Sequence, residues 1–495
     1  GSGCDVVRIG IGPTPMLYYA EASADDLDGG IQITGSHNPA NYNGFKMVFR
    51  GRPFFGQDIA ELGRRAATGD WLDGLGEVST REIFEEYVER LLEPLDGLDR
   101  DALSVLRIGW DAGNGAAGPA LEALAARLPG EHHLLFTEID GSFPNHHPDP
   151  TVPENLVDLQ RLVANKNLDF GVAFDGDGDR IGAIDGEGRV IWGDQLLMIF
   201  AEELLARMPG APVIADVKAS GALFERVAEL GGRPLMWKTG HSLIKSKMKE
   251  IGAPLAGEMS GHVFFADTYY GFDDALYAAV RLIAASARLG RSVTALRSAM
   301  PAMVNTPELR FQVDESRKFA AIDEVKQRLS GSDAEVNDTD GVRVTTQDGW
   351  WLLRASNTQD VLVARAESAD QAGLDRLLAI LPKIRATTDV EALDSYRSQA
   401  DAILFYDMPG YTFADGKVTT RPPSDAYKAA IRAHFSAGKG AVAWHHAIAG
   451  WAEWPEWHEW LGGGFLYQPG EWQGEAWPDS GYRHDVAYEA RILAD

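Results

Sequence analysis

Short apolar runs alternate with amphipathic, helix-like segments over the first 300 or so residues of the chain. These runs have the length of buried strands, and they lie at residues 31–34, 106–113, 169–175 and 212–220. Strands that alternate with helices in this way indicate α/β units built around mostly parallel sheets. The pattern therefore predicts an α/β fold for this part of the chain.

The pattern changes after about residue 305. Residues 341–356 and 360–368 have the composition of antiparallel strands, and a Gln-Asp-Gly turn divides the first of these segments. A helix is predicted near residues 368–383. We therefore expect a smaller α+β domain to follow the α/β region.

The composition is that of a globular protein with several domains. The chain has 495 residues, of which 45% are hydrophobic and 24% are charged, and this length exceeds what one core supports. A net charge of −27 argues against binding to nucleic acid or anionic membranes, and no apolar run approaches the ~20 residues that span a bilayer. The single cysteine, Cys4, excludes an internal disulfide, and the first residues do not resemble a signal peptide. A cytoplasmic protein fits these features best.

A serine lies just after one of the predicted strands. Residues 30–39 are GIQITGSHNP, so Ser36 and His37 fall in a loop that an Asn-Pro pair stiffens. Lys46 follows an Asn-Gly turn, where the chain can fold its ammonium back toward Ser36. Such a lysine could stabilise a transferred phosphate or move a proton. A lone serine in such a loop most often makes only a turn hydrogen bond, so both interpretations stay open here.

Three aspartates recur at every second position after a buried strand. They are Asp175, Asp177 and Asp179 in AFDGDGDRIG, and this spacing turns three carboxylates toward one point, as a Mg²⁺ site requires. An EF-hand calcium loop begins in the same way. However, Arg180 stands where that loop needs glycine, and Gly186 where it needs a bidentate glutamate. A chance acidic loop is disfavoured because clustered carboxylates repel one another without a cation.

Two further loops carry polar groups suited to a phosphorylated sugar. GEMSGH presents Glu258, Ser260 and His262 at alternating positions, which suits sugar hydroxyls but is as often a polar turn. Arg354 precedes a Ser-Asn-Thr turn, and arginine with hydroxyls and turn amides forms a phosphate cradle, although an ordinary hairpin turn is equally common. The basic residues that could complete this anion site are Lys218, Lys238, His241 and Lys245.

In this order, the four stretches resemble the α-D-phosphohexomutase family, most closely its phosphomannomutase/phosphoglucomutase branch. TGSHNP is similar to the family's phosphoserine loop, DGDGDR to its metal loop, GEMSGH to its sugar-specificity loop and RASNT to its phosphate loop. The resemblance implies three related α/β domains and a final α+β domain, each giving one loop to a central cleft. We expect these domains at residues 1–100, 101–208, 209–304 and 305–387.

The resemblance also implies roles for single residues. Ser36 would carry the phosphoryl group, and one of its oxygens would join the three aspartates around Mg²⁺. Two residues, Glu258 and Ser260, would bind sugar hydroxyls. The distal phosphate would be bound by Arg354, Ser356, Asn357 and Thr358. The reacting end would be lined by Lys46, Arg180, Lys218, His241 and His262. Of the residues near Ser36, Lys46 and His37 are favoured for proton transfer and charge stabilisation.

The activity implied by the resemblance is intramolecular phosphoryl transfer within a hexose phosphate. Phospho-Ser36 would give its group to a 1- or 6-phosphate of mannose or glucose. The resulting hexose 1,6-bisphosphate would turn around, and its other phosphate would return to Ser36. Mg²⁺ and the nearby cations would stabilise the charge on the transferring group. No nucleic acid, membrane or obligate protein partner is expected.

Two features depart from the family's pattern. The chain starts just before TPMLYYA, so we expect the first domain to lack its opening strand and helix, which would leave a sheet edge uncovered. Seven of the thirteen tryptophans fall between residues 444 and 477, which suggests a foreign module at 388–495. That segment resembles part of the ThuA-like trehalose-utilisation family, whose fold is glutamine-amidotransferase-like α/β. His445 and His446 are candidates for a site there, and a purely structural role for them is at least equally favoured.

These departures leave two alternative functions open. The chain could be a catalytically impaired protein that binds phosphosugar and Mg²⁺ without turnover. Alternatively, a sugar-related function could reside in the ThuA-like segment, with the mutase region as a passenger. Phosphorylation of Ser36 would distinguish the enzyme from the binding protein.

Overall fold

The computed structural model describes most of the first 380 residues and shorter stretches after them. The described residues are 3–38, 42–70, 72–313, 315–330, 335–356, 359–380, 402–405, 411–414, 417–420, 423, 425–436, 440–443, 456, 470–472 and 475–477. The chain divides into two compact units, Gly1–Ala379 and Ile380–Asp495, which are described separately. Among these residues, no helix has the length and apolar character needed to span a bilayer.

The larger unit begins with short strands and four helices. These elements are β1 (Val6–Arg8), α1 (Thr14–Ser23), β2 (Gly29–Thr34), β3 (Gly44–Phe49), β4 (Arg52–Pro53), α2 (Gln57–Thr68), β5 (Val78–Thr80), α3 (Phe84–Leu92) and α4 (Arg100–Ser104). β1 pairs in parallel with β5, whereas β2, β3 and β4 form an antiparallel sheet. The prediction of mostly parallel sheets is wrong here because β2 and β3 are joined by a hairpin, which is shorter than the crossover that parallel strands need.

The register of this hairpin positions two of the predicted site residues. Thr34 pairs with Gly44 at the end of the ladder, and Gln32 pairs with Lys46. Ser36 therefore lies just beyond the end of β2, while Lys46 lies on the neighbouring strand. Helix α1 begins at Thr14 with Pro15 in its first turn, where the missing N–H of proline costs no helical hydrogen bond.

A five-stranded sheet with parallel centre forms the next region. Its elements are β6 (Arg107–Asp111), α5 (Gly118–Ala125), β7 (Glu131–Leu135), α6 (Val157–Lys166), β8 (Phe170–Phe174), β9 (Ile181–Asp185), β10 (Val190–Ile191) and α7 (Gly193–Arg207). The strand order is β10-β9-β8-β6-β7, and β6, β7 and β8 run parallel. β8 is buried along its whole length, as its continuous apolar run predicts for a strand covered on both faces.

A four-stranded sheet forms the third region. Its elements are β11 (Pro212–Asp216), α8 (Gly221–Glu229), β12 (Arg233–Trp237), α9 (His241–Ile251), β13 (Leu255–Gly257), β14 (Val263–Phe265), α10 (Ala275–Leu289) and α11 (Val293–Ser298). The strand order is β12-β11-β13-β14, with only β14 antiparallel to its neighbour. The turn between β13 and β14 carries the GEMSGH sequence, so this loop leaves the carboxyl end of a parallel strand.

The last region of the larger unit is an antiparallel sheet with two helices. Its elements are β15 (Val304–Asn305), β16 (Leu309–Gln312), α12 (Glu315–Leu329), β17 (Glu335–Asn337), β18 (Val342–Thr346), β19 (Gly349–Ala355), β20 (Val361–Ser368) and α13 (Gln371–Ile380). Thr346 pairs with Gly349 across the predicted turn, so the expected antiparallel hairpin is confirmed. The predicted helix near 368–383 corresponds to α13 (Gln371–Ile380), and residues 381–383 lie outside the described residues.

Short elements are described in the smaller unit. They are β21 (Ala402–Phe405), β22 (Tyr411–Ala414), β23 (Lys417–Thr420), α14 (Asp425–Ser436), β24 (Gly440–Ala443), β25 (Gly470–Trp472) and β26 (Glu475–Trp477). β21 and β24 pair in parallel, and the other strands form two antiparallel pairs. Two residues predicted as candidates for a site here, His445 and His446, lie outside the described residues.

One apolar core runs through the first three regions of the larger unit. It contains fully buried aromatic side chains from separate helices and strands, including Tyr87, Trp110, Phe200 and Phe265. Burying one such side chain stabilises a fold by about 1.5–3 kcal/mol. Because the core is shared, the loops at the carboxyl ends of these strands are held against one another.

Candidate active site

The loop after β2 presents Ser36 in a left-handed backbone conformation, with a φ of 51°. Few residues other than glycine adopt this conformation, and strain of this kind clusters at functional sites. The Ser36 amide donates to Thr34 Oγ1 at 2.8 Å, and its hydroxyl donates to Asp175 Oδ2 at 3.0 Å. A Cβ on Gly176 would lie 2.2 Å from the Ser36 carbonyl oxygen. Only glycine at 176 therefore allows the serine loop to approach so closely.

His37 lies beside the serine hydroxyl, with its Nδ1 3.3 Å from Ser36 Oγ. Burial and the nearby guanidinium of Arg180 lower the pKa of His37 to about 4. The ring is therefore neutral at physiological pH, so it can hydrogen-bond the serine but does not supply a positive charge.

The three aspartates after β8 converge as their spacing predicts. Asp175, Asp177 and Asp179 are almost completely buried, and each offers an oxygen within 4.8 Å of the others. Burial and the other two carboxylates raise the pKa of Asp175 to about 8. Asp177 Oδ1 and Asp179 Oδ1 are buried without a hydrogen-bond partner among the described residues. Unsatisfied hard oxygens at one buried point fit a divalent cation such as Mg²⁺.

Lys46 provides the nearest positive charge to this triad. Its Nζ lies 2.7 Å from Asp177 Oδ2 and 2.5 Å from Asp179 Oδ2. Burial acts against the ammonium, but Asp177 and Asp179 outweigh it and raise the pKa of Lys46 well above its usual range. The sequence predicted that Lys46 folds toward Ser36, and the structure places its ammonium on the aspartates of the adjacent loop. Thr14, which the sequence analysis did not single out, donates to Asp177 Oδ2 at 2.5 Å.

A second cluster lies on the other side of Asp179. Arg180 Nε donates to His262 Nε2 at 3.0 Å, and the His241 and His262 rings stack with centroids 5.4 Å apart. Burial and a nearby lysine lower the pKa of His241 to about 4. Burial disfavours the charged form of His262, but Asp179 and Asp273 raise the pKa of that ring overall. Asp273 was not predicted as a site residue.

Glu258 in the GEMSGH turn is buried and faces the start of α9. Its Oε1 accepts from the Gly240 amide at 2.5 Å. Burial and the negative charge of Asp216 outweigh nearby positive charges and raise the pKa of Glu258. Ser260 is half-buried in the same turn. Both side chains therefore lie on a tight turn that fixes their spacing.

The two basic residues predicted to bind phosphate are held by carboxylates. Lys218 Nζ lies 2.8 Å from Glu308 Oε1, and Arg354 Nε donates to Asp340 Oδ2 at 2.8 Å. The same Asp340 oxygen accepts from the Thr239 amide at 3.1 Å. These contacts join the fourth region to the third, and the carboxylates stand where anionic phosphate oxygens could compete for the same donors.

Comparisons with known proteins add to this geometry. Sequence profiles of the four phosphoglucomutase/phosphomannomutase domains match the chain in order, with the α/β/α domains I, II and III at residues 1–72, 85–188 and 192–303 and the C-terminal domain at 308–382. A phosphomannomutase/phosphoglucomutase of Pseudomonas aeruginosa is 44% identical over 380 residues, which are 76% of this chain and 80% of that protein. The chain belongs to the phosphoglucomutase/phosphomannomutase family.

Other members of this family support the assignment. A phosphoglucomutase of Neisseria meningitidis is 42% identical over 381 residues, covering 76% of this chain and 81% of that protein. The crystal structure of a phosphoglucomutase/phosphomannomutase family protein from Burkholderia thailandensis is 43% identical, with a TM-score of 0.71 over 81% of this chain and 84% of that chain. The predictions of the family, its multidomain α/β fold and a hexose phosphate mutase activity, an intramolecular phosphotransfer, are confirmed.

The phosphoglucomutase/phosphomannomutase fold brings most of the predicted site residues into two connected groups. One group surrounds the aspartate triad and consists of Ser36, His37, Lys46, Asp175, Asp177, Asp179, Arg180, His241 and His262. The others lie on loops of the third and fourth regions, which contacts of Lys218 with Glu308 and of Thr239 with Asp340 join: Lys218, Glu258 and Ser260 in the third region, and Arg354 and Ser356 in the fourth. Two predicted phosphate ligands, Asn357 and Thr358, lie outside the described residues.

Proposed function

We propose that this chain interconverts the 1- and 6-phosphates of glucose, mannose or both, through phospho-Ser36 and a hexose 1,6-bisphosphate. The observation that carries the proposal is the 3.0 Å contact between Ser36 Oγ and Asp175 inside a buried triad of carboxylates. A serine hydroxyl beside such a triad is suited to accept and release a phosphoryl group. The relatives' names, phosphomannomutase/phosphoglucomutase and phosphoglucomutase, support the choice of hexoses.

The triad residues Asp175, Asp177 and Asp179 would hold Mg²⁺ together with an oxygen on Ser36. When bound, the ion would supply positive charge to the transferring phosphoryl group. The two unpartnered buried oxygens of the triad support this assignment. Lys46 and Arg180 lie on either side of the triad, where they would stabilise the same developing charge.

We propose that two residues carry the protons of the transfer. As the new O–P bond forms at the hexose hydroxyl, its proton passes to His262 Nε2, and the Ser36 Oγ–P bond breaks. Ser36 Oγ leaves with a proton from Lys46, which contacts the same triad as the serine. When the bisphosphate returns its other phosphoryl group to Ser36, both protons move back. Each residue thus ends the cycle in its starting state.

The second group of residues would hold the part of the substrate that does not react. Glu258 and Ser260 would bind sugar hydroxyls, since both lie on one tight turn. Lys218, Arg354 and Ser356, with the predicted Asn357 and Thr358, would bind the distal phosphate. The carboxylates now paired with Lys218 and Arg354 support this, because they mark sites that already accommodate anionic oxygens.

A coupled assay of the purified chain tests the proposal directly. With Mg²⁺ and a trace of glucose 1,6-bisphosphate, glucose 1-phosphate, mannose 1-phosphate or both are expected to yield the corresponding 6-phosphates. Mass spectrometry is expected to find phosphate on Ser36. Folded protein that binds hexose phosphate but turns over neither sugar would instead favour the alternative of a binding protein.

Replacing Arg354 with lysine is expected to raise KM for hexose phosphates about 10- to 100-fold. A charge-assisted hydrogen bond is worth about 1.5–3 kcal/mol, and lysine cannot reproduce the planar donors of a guanidinium. Steady-state kinetics on both sugars measure the effect. Arg376→Lys is the matched control, because this exposed arginine of α13 contacts Asp348, outside the predicted site, and its replacement should leave KM unchanged. An equal KM in wild type and Arg354→Lys would remove Arg354 from the phosphate site.

Several finer expectations stay predictions. These are a partial ThuA-like domain at 388–495, the boundaries of the mutase domains, a cytoplasmic location, and the lack of nucleic-acid, membrane or obligate protein partners. The parallel pair β21 and β24 and helix α14 are compatible with an α/β fold in the smaller unit. A sugar-related function there remains the alternative to the mutase proposal.

A further inference from the structure

Thr14 is a completely buried residue to which the proposed mechanism gives no role, although it contacts the aspartate triad. It is the first residue of α1. The Thr14 amide donates to the Asp177 carbonyl at 2.8 Å, and the Thr14 hydroxyl donates to Asp177 Oδ2 at 2.5 Å. An amide at the start of a helix has no acceptor within that helix, so it is available for this contact. One residue thus holds both the main chain and the side chain of Asp177.

The start of α1 is itself held in place by the fold. Met16, in the first turn of this helix, is buried in the apolar core. A Cβ on Gly178 would lie 2.9 Å from Pro13 Cβ, so glycine is needed for the aspartate loop to approach the helix this closely. The Gly178 carbonyl also accepts from the Ala275 amide, the first amide of α10, at 3.2 Å. The aspartate loop is therefore held between the first residues of two helices, one of which is Thr14.

The two oxygens of the Asp177 carboxylate have different surroundings. Oδ2 accepts from Thr14 and lies 2.7 Å from Lys46 Nζ. Oδ1 is buried without a hydrogen-bond partner among the described residues. Because an ionised carboxylate only accepts hydrogen bonds, donors that occupy one oxygen leave the other for a cation.

Lys46 and Thr14 hold Asp177 Oδ2 in different ways. The ammonium of Lys46 is shared with Asp179 Oδ2 at 2.5 Å, and it is a point charge on a flexible stem. It therefore neutralises two carboxylates without fixing the rotation of either. Thr14 has a short side chain with restricted χ1 on a helix that the core holds, and its hydroxyl contacts Asp177 alone among the triad. Thr14 is thus the donor that can fix the rotation of Asp177.

We propose that Thr14 is a positioning residue of the metal site, which holds Asp177 Oδ2 so that Oδ1 is left to bind Mg²⁺. This inference rests on the metal site of the proposed function. Groups that hydrogen-bond a metal ligand fix its orientation before the ion arrives. Without the hydroxyl, the carboxylate loses its rigid donor, and ordering it at the moment of binding weakens the affinity for Mg²⁺.

The test titrates Mg²⁺ into the full chain carrying Thr14→Val and measures the heat of binding without sugar phosphate. Valine has the shape of threonine and keeps the amide contact with the Asp177 carbonyl, so the fold should survive. The Kd for Mg²⁺ is expected to rise about 10- to 100-fold, and the Mg²⁺ concentration for half-maximal turnover should rise by the same factor. At saturating Mg²⁺, kcat should change less than about threefold. Thr14→Ser keeps the hydroxyl and should bind Mg²⁺ within about threefold of wild type.

Two further variants separate the orientation of Asp177 from general damage. Thr14→Ala removes the same hydroxyl without putting a methyl group in its place, and it should show the same loss of Mg²⁺ affinity. Thr306→Val removes another buried threonine hydroxyl, in the fourth region, where Thr306 Oγ1 accepts from the Ala366 amide at 3.1 Å. This variant should keep the wild-type Kd for Mg²⁺ even if it melts earlier.

The outcomes distinguish a failed inference from a failed metal site. A wild-type Kd for Mg²⁺ in both Thr14→Val and Thr14→Ala would overturn the inference. An equal loss of affinity in Thr14→Ser or in Thr306→Val would also overturn it, because the Thr14 hydroxyl would then not be the cause. A wild-type chain that binds no Mg²⁺ would overturn the proposed metal site itself, and the inference with it.

Discussion

Replacement of Ser36 by alanine is expected to lower mutase turnover by about four orders of magnitude, because loss of a covalent nucleophile removes the whole double-transfer pathway. Alanine keeps the Cβ and leaves the loop anchored by the Ser36 amide on Thr34 and by the close approach to Gly176. The fold should therefore survive. The coupled assay with glucose 1-phosphate and added 1,6-bisphosphate measures the loss.

Two controls make this result specific. Ser246→Ala removes a serine hydroxyl that donates to the Ser242 carbonyl on the exposed face of α9, and its turnover should equal that of wild type. After incubation with glucose 1,6-bisphosphate, intact-protein mass spectrometry should find a phosphorylated wild type and an unphosphorylated Ser36→Ala. Turnover within tenfold of wild type, or phosphate on another residue, would show that Ser36 is not the carrier.

The parts of this site that sequence predicts best are those carried by one loop. Asp175, Asp177 and Asp179 follow a single buried strand, so their spacing alone determines that the carboxylates converge. The antiparallel hairpin of β18 and β19 was equally predictable, because its turn residues and its apolar pattern lie within one short stretch of the sequence. A local sequence pattern therefore predicts a structural feature correctly when one loop or hairpin contains all of its residues.

Features built from separate elements were harder to predict. Lys46 was expected near Ser36, but the register of β2 and β3 sends its ammonium to Asp177 and Asp179. Asp273 was missed because its partners come from α9 and from the turn before β14, which only the assembled sheet brings together. The one signal in the sequence was the Asp273-Asp274 pair before an apolar helix, and that pair equally marks an ordinary helix N-cap.

The largest stability effect is expected at Arg281, which lies in the core without contacting any predicted site residue. Its guanidinium is 2% exposed and contacts Asp267 at 2.8 Å and Glu203 at 3.2 Å. Arg281→Met fills similar space but leaves these carboxylates with only Arg207 and Arg288. Breaking a buried ion-pair network in this way typically costs about 3–5 kcal/mol, so the first thermal unfolding transition should fall clearly below that of wild type.

Circular dichroism and calorimetry on the full chain measure that transition. The control is Arg64→Met on α2, which removes an exposed partner of Glu61 and should shift stability by less than about 0.5 kcal/mol. Arg281 lies on α10, and the N-terminus of this helix follows Asp273 of the candidate active site. Kinetics on the variant therefore also show whether the stability of α10 affects turnover. Arg281→Met should lower the folded fraction while the kcat of the folded enzyme stays near wild type. A wild-type melting temperature for Arg281→Met would mean that the remaining arginines neutralise both acids unaided.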